Sequence, residues 1–341
     1  MTSAPVSSVT WPPRTALPTV PREYHEFYRT PRLAWWRPVA ALALFVASWL
    51  LVSLVISVAL LAGDVLSGRI TLEQLAQGVV TPNLFLANNL ALAMAVPLSY
   101  LAHWAAFRQR PRWLSSVVGG FRWPLLFRFS LVAAPFYLVS VAVEGTLAGG
   151  FEGLAVNSDT WFLAIAILLT TPFQAAGEEL AMRGLLARSV ASYFASRRVG
   201  LVVAAATSSL AFMGLHGAAD PWLNLFYFVV GLATSVLVWR TGGLEAAVAL
   251  HAVNNLVSEV TLPFADLGSL FDRGVGSGSP WVLAQVAVVM MAAALMLLQA
   301  KRLNLPTATA PGSQVAPTME LSRDGWGAAR LQYPTADKGV R

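Results

Sequence analysis

Between residues 38 and 300 the chain repeatedly runs for about 20 residues with hardly a charged side chain. That is the length an α-helix needs to cross about 30 Å of hydrocarbon. Eight such stretches are expected as helices, at roughly 39–62, 84–107, 125–148, 161–186, 199–216, 222–239, 244–263 and 280–300. A backbone surrounded by lipid must satisfy its own hydrogen bonds, so the expected fold is all-α, a polytopic membrane helical bundle. The first stretch follows a 37-residue polar leader, too late for a cleaved signal peptide, and is read as a span.

Charge sets the expected orientation. Only 12% of the 341 residues are charged, and the formal net charge is +6. Residues 1–37 hold five Arg and two Glu, and residues 301–341 hold six Lys/Arg and three acids. The block between them carries twelve Arg and twelve acids. The basic excess thus lies in two tails flanking a neutral block. This layout suits basic ends on anionic lipid and argues against a nucleic-acid partner. The connections also alternate: segments 108–122 and 188–198, Arg240 and Lys301–Arg302 are basic, whereas the others carry mostly acids. By the positive-inside rule both termini are expected in the cytoplasm, which requires an even number of spans.

Leader 1–37 and tail 301–341 lack apolar periodicity and are expected to be disordered cytoplasmic segments, with 38–300 as the transmembrane domain. Trp35, Trp36, Trp113, Trp123, Trp161, Trp222, Trp239 and Trp281 fall near span ends and are read as interface anchors. Segment 109–123 reads either as an amphipathic surface helix or as a basic loop. With no cysteine, disulfides, thiolate zinc sites and a cysteine nucleophile are excluded.

Against this background the informative residues are the polar ones inside spans, because a charge at mid-bilayer costs about 2.5–3.5 kcal/mol even on the gentler insertion scale. One helix carries Glu178, Glu179 and Arg183; later spans carry Phe212 with His216, and His251 with Asn255. Glu179 and Arg183 are i,i+4 with the acid first, the better order for an intrahelical pair. Glu178 points about 100° away and lacks such a partner in its helix, so it is the candidate base, with a histidine from another helix as its natural neighbour. His251 and Asn255 share a helix face and can converge on a developing oxyanion. Phe212, one turn before His216, is expected to pack against the imidazole. His25 and His103 are read as packing residues.

These motifs, Glu178-Glu179-x-x-x-Arg183, Phe212-x-x-x-His216 and His251-x-x-x-Asn255, resemble the three signature motifs of the CPBP family of intramembrane proteases (CAAX protease and bacteriocin-processing, or Abi). The resemblance covers about residues 160–260 and is nearest to the prenyl-protein endopeptidase group. It implies that Glu178 and His216 activate water, that His251 and Asn255 stabilise the oxyanion, and that Glu179, Arg183 and Phe212 support them. The family is also described as metalloproteases, which would make Glu178, His216 and His251 ligands of a zinc ion. From the residues alone, those three can either hold a metal with an open fourth position or work without one. No H-E-x-x-H is present.

The expected activity is therefore that of an intramembrane endopeptidase, with the bilayer and a peptide or membrane-protein substrate as partners. Alternatives are a non-catalytic binding, immunity or scaffold protein of the same fold and, ranked last for lack of internal symmetry, a small-solute transporter. Twenty-one Arg against two Lys, in an Ala-rich chain, is the bias of high-GC bacteria. The expected location is accordingly a bacterial plasma membrane, where prenylated substrates are not expected. One difficulty stands: counted from residue 199, His216 falls near the outer side, whereas Glu178 falls in the cytoplasmic third, so the fifth span is expected to start late, tilt or break.

Overall fold

Apolar runs become helices here largely where the sequence places them. The computed structural model describes residues 16–147, 149–269 and 271–309. Its long helices are α1 Trp36–Leu66, α2 Pro82–Phe107, α3 Trp123–Leu147, α4 Thr160–Ala191, α5 Arg197–Leu215, α6 Pro221–Thr241, α7 Glu245–Ser258 and α8 Val282–Arg302. Among the described residues, seven are long and apolar enough to cross a membrane. The chain is a polytopic, multi-pass helical bundle. Leu50, Leu51, Leu54, Val55 and Val58 of α1 are exposed in the isolated chain, as a lipid-facing surface requires.

The eighth expected span is a correction. The 244–263 run forms only the 14-residue α7, short of the roughly 20 residues that cross a bilayer. Residues 245–254 are buried without a break, and α7 packs against α3, α4 and α6. Its apolar surface serves the protein core rather than lipid, which hydropathy alone does not separate.

Proline and polar caps explain the local breaks. Pro97 in α2 has no N–H and crowds the carbonyl one turn back, and the helix is interrupted at Met94. Asp220 caps α6 by accepting from the Trp222 and Leu223 amides, and Gly242 closes that helix at φ 67°, a left-handed conformation that suits glycine. Within α4, residues Leu180–Leu186 form a π-helical stretch directly after the two glutamates. Such widened turns inside α-helices are frequent at functional sites.

The two ends of the bundle sort the loops as their charges predict. At one end Thr309 N donates to Arg22 O at 2.8 Å, Leu244 N to Ser115 O at 2.9 Å and Arg188 to Trp113 O at 2.8 Å, so the basic connections and the described parts of both tails meet there. At the other end Arg69 pairs with Asp159 at 2.9 Å, and Ala219 N donates to Arg273 O at 2.9 Å.

The tails are also corrected where they are described. Tyr24, Phe27 and Tyr28 are buried, and Arg188 of α4 lies over the Tyr24 ring at 3.6 Å, so residues 16–37 dock on the bundle. Burial of three aromatics and a cation–π contact outweigh the polar composition on which disorder was expected. Residues 301–309 complete α8 and return to the Arg22 strand-like contact; the remainder of the expected disorder, 1–15 and 310–341, lies outside the described residues. Segment 109–123 forms only the short helix Arg112–Ser115, with Trp113, Leu114 and Val117 buried. Trp113 is thus a core residue stacked on Phe27, not an interface anchor. Trp35, Trp36, Trp123 and Trp161 are exposed, as anchors would be.

Candidate active site

Helix α4 supplies the acids. Glu179 is fully buried; its Oε1 accepts from Arg183 at 3.0 Å and faces His251 Nδ1 of α7 at 2.9 Å. Arg183, itself 1% exposed, also donates to the Gly231 carbonyl of α6 at 2.9 Å and lies 4.7 Å from the Phe212 ring centre. One buried carboxylate therefore ties α4 to α7, and its arginine ties α4 to α5 and α6. Removing one member of an ion pair so enclosed would leave the other as an uncompensated buried charge.

Glu178 faces another way, as the 100° step requires. Its Oε2 stands 3.9 Å from His251 Nε2, and its side chain is 13% exposed where that of Glu179 is 0% exposed. The expectation that Glu178 lacks a partner in its own helix is corrected: Gln174, one turn earlier, donates to Glu178 Oε1. The Gln174 carbonyl in turn accepts from Asn255 Nδ2 at 3.0 Å. His251 thus sits between the two acids, one ring nitrogen toward each. Its Nδ1–H donates to the arginine-paired Glu179, which leaves Nε2 directed at Glu178.

His216 ends α5. Its Nδ1 meets the Phe212 carbonyl at 2.7 Å, which fixes Nδ1–H as donor and frees Nε2. The ring stacks on Tyr227 of α6 at 3.8 Å, and Phe212 stands between it and His251, at 4.6 and 5.5 Å between ring centres. Among the described residues no hydrogen bond or ion pair joins His216 to Glu178. The depth difference is narrowed by α4, not by α5. Helix α5 is unbroken from Arg197, whereas α4 continues to Ala191, five residues past the expected end, so Glu178 lies about 20 Å from that end.

Gln174, Tyr227, Thr171 and Glu259 are the site residues that sequence reasoning missed. Thr171 donates to Glu259 Oε2 at 2.7 Å and accepts from Asn89 of α2 at 3.0 Å, continuing the polar seam beyond Asn255. Gln174 was legible as an uncharged polar residue mid-span, one turn from Glu178; Tyr227 carried no signal apart from its aromaticity.

Glu178 and His251 face one another at 3.9 Å, and together with His216 they do not form a group of three ligand atoms lying within 4.8 Å of one another. Among the described residues only Glu23, His25 and Glu26 place three such atoms within 4.8 Å of one another. Their carboxylates are already taken by Arg22, Arg29, Arg197 and Trp239.

Comparison with known families follows the same boundaries. Residues 159–257 match the family described as Type II CAAX prenyl endopeptidase Rce1-like. The Rce1-like segment runs from the start of α4 to the end of α7 and contains all three motifs, so the resemblance to the CPBP proteases is borne out over these residues. That family is one of proteases. Helices α1 to α3 and α8 lie outside the match, although α3 packs on α7. Neither the curated proteins nor the solved structures compared with the chain match it.

Proposed function

We propose that this protein is an intramembrane endopeptidase that hydrolyses a peptide bond of a membrane-associated protein or peptide. The observation that carries the reading is the division of labour between two adjacent acids: Glu179 is sealed in an ion pair with Arg183, while Glu178 keeps one oxygen partly open beside His251.

In this mechanism Glu178 Oε2 takes a proton from water as the water oxygen bonds to the scissile carbonyl carbon. The carbonyl π electrons move onto its oxygen. An N–H of Asn255 and, when its ring carries both protons, the Nε2–H of His251 receive that oxyanion. On collapse the C–N bond breaks, its electron pair goes to nitrogen, and the proton held by Glu178 follows it. His216 offers its free Nε2 to orient the water, with Phe212 and Tyr227 holding the ring. Glu178 and His251 are the residues that would hold a metal, where one is bound, and it would supply Lewis-acid polarisation of water or carbonyl. The bilayer of a plasma membrane is the proposed setting, with the basic end in the cytoplasm.

The test is cleavage by the purified protein in liposomes of a quenched-fluorescence peptide ending in a farnesylated CaaX sequence, beside the same peptide without lipid. Hydrolysis of either supports the reading, and their ratio reports whether the prenyl group is recognised. Tight binding of both peptides without any cleavage would favour the binding protein of the same fold.

A further inference from the structure

We propose that Gln174 is a positioning residue that couples the Glu178 base to the Asn255 oxyanion donor through a one-directional chain of amides. The role rests on the hydrolytic reading above. Asn254 Nδ2 donates to Asn255 Oδ1 at 2.9 Å, Asn255 Nδ2 donates to Gln174 Oε1 at 3.0 Å, and Gln174 Nε2 donates to Glu178 Oε1. An ionised carboxylate only accepts, so the end of the chain fixes the orientation of every amide before it. Flipping any one of them would set two donors or two acceptors face to face.

Two consequences bear on the chemistry. Glu178 has one oxygen committed to Gln174, which leaves the other to meet water and sets the plane of the carboxylate. Asn255 has one amide hydrogen committed to Gln174, which leaves its second for substrate and aims it. The link also bridges α4 and α7, the two helices that carry Glu178 and His251. Gln174 is 7% exposed in the middle of an apolar helix, where an amide is costly unless its hydrogen bonds are made. A plain clamp between helices would satisfy that cost too, so the test must read kinetics as well as folding.

The experiment compares kcat and KM of wild type, Gln174→Met, Gln174→Glu, Asn255→Ala and the Gln174→Met/Asn255→Ala double variant, with whichever of the two peptides the wild type cleaves. Met keeps length and loses both hydrogen bonds; Glu keeps the acceptor for Asn255 and loses the donor to Glu178. Both single Gln174 variants are expected to lose roughly 10–100-fold in kcat with KM within about twofold. The double variant is expected to lose far less than the product of its singles, because the pair acts as a unit. A wild-type kcat in either Gln174 variant, or singles that multiply in the double, would overturn the coupling. If Gln174→Met does not fold, Gln174→Glu decides alone. Wild-type activity in Glu178→Gln would instead sink the assignment of Glu178 as the base on which the coupling rests, whereas an inactive Glu178→Gln with unchanged Gln174 variants would sink only the coupling.

Discussion

His251 Nδ1 stands 2.9 Å from Glu179 Oε1, across 72 residues of sequence, and the same oxygen holds Arg183 at 3.0 Å. This contact orients the imidazole. With Nδ1–H committed to the buried acid, Nε2 is turned to Glu178, and the second acid of the pair becomes a scaffold for the first. Adjacent glutamates in one helix thereby sit in different surroundings, because helical geometry turns them about 100° apart.

Glu179→Gln should therefore damage structure and chemistry together. Arg183 would be left buried beside a neutral amide, and breaking such a pair costs about 3–5 kcal/mol. Thermal unfolding followed by tryptophan fluorescence should show a lowered midpoint, and peptide cleavage should fall steeply. A stable, active Glu179→Gln protein would show that His251 is oriented by other contacts.

Gly177, directly before the acids, packs its backbone against the Leu92 carbonyl of α2, and a β-carbon there would overlap that oxygen. Gly177→Leu should push α2 from α4 and strain the Asn89 bonds to Thr170 and Thr171. The expected result is a loss of roughly 1–3 kcal/mol of stability, with a larger loss of activity than Gly177→Ala. Equal stability of wild type and both variants would contradict the close approach.

His25 offers a pH test at the docked leader. Burial lowers its pKa, opposed by the charges of Glu23 and Glu26, and its Nε2 meets the Arg197 carbonyl at 3.2 Å. The unfolded segment takes up a proton near pH 6.5 that the docked one resists, so docking is fully stable above about 6.5 and weakens as pH falls below it. Hydrogen exchange of residues 22–30 should slow less on acidification below about pH 6.5 than the intrinsic rate predicts, and His25→Gln should remove that excess exchange. No excess in the wild type would contradict a neutral, buried His25.

Much of this was readable in the chain, for physical reasons. Span positions followed from apolar length, and the loop sorting from charge. The acid pair, both histidines and Asn255 stood out because polar groups are costly inside spans. What escaped was what hydropathy treats alike. Helix α7 is as apolar as a span, yet only its neighbours reveal that protein, not lipid, surrounds it. The leader looked disordered because Tyr24, Phe27 and Tyr28 bury against α4 and the Trp113 turn, partners distant in sequence. The π-helical stretch of α4 left no mark in residue pattern, and Gln174 was overlooked for being uncharged.

The central claim is that Glu178 activates water for peptide hydrolysis. Its most direct test is the single-turnover cleavage rate of Glu178→Gln against wild type in the same liposomes, with thermal unfolding showing both folded. Gln keeps the volume and removes the base, so the rate should fall at least about 100-fold with peptide binding retained. Cleavage by Glu178→Gln at the wild-type rate would contradict the account.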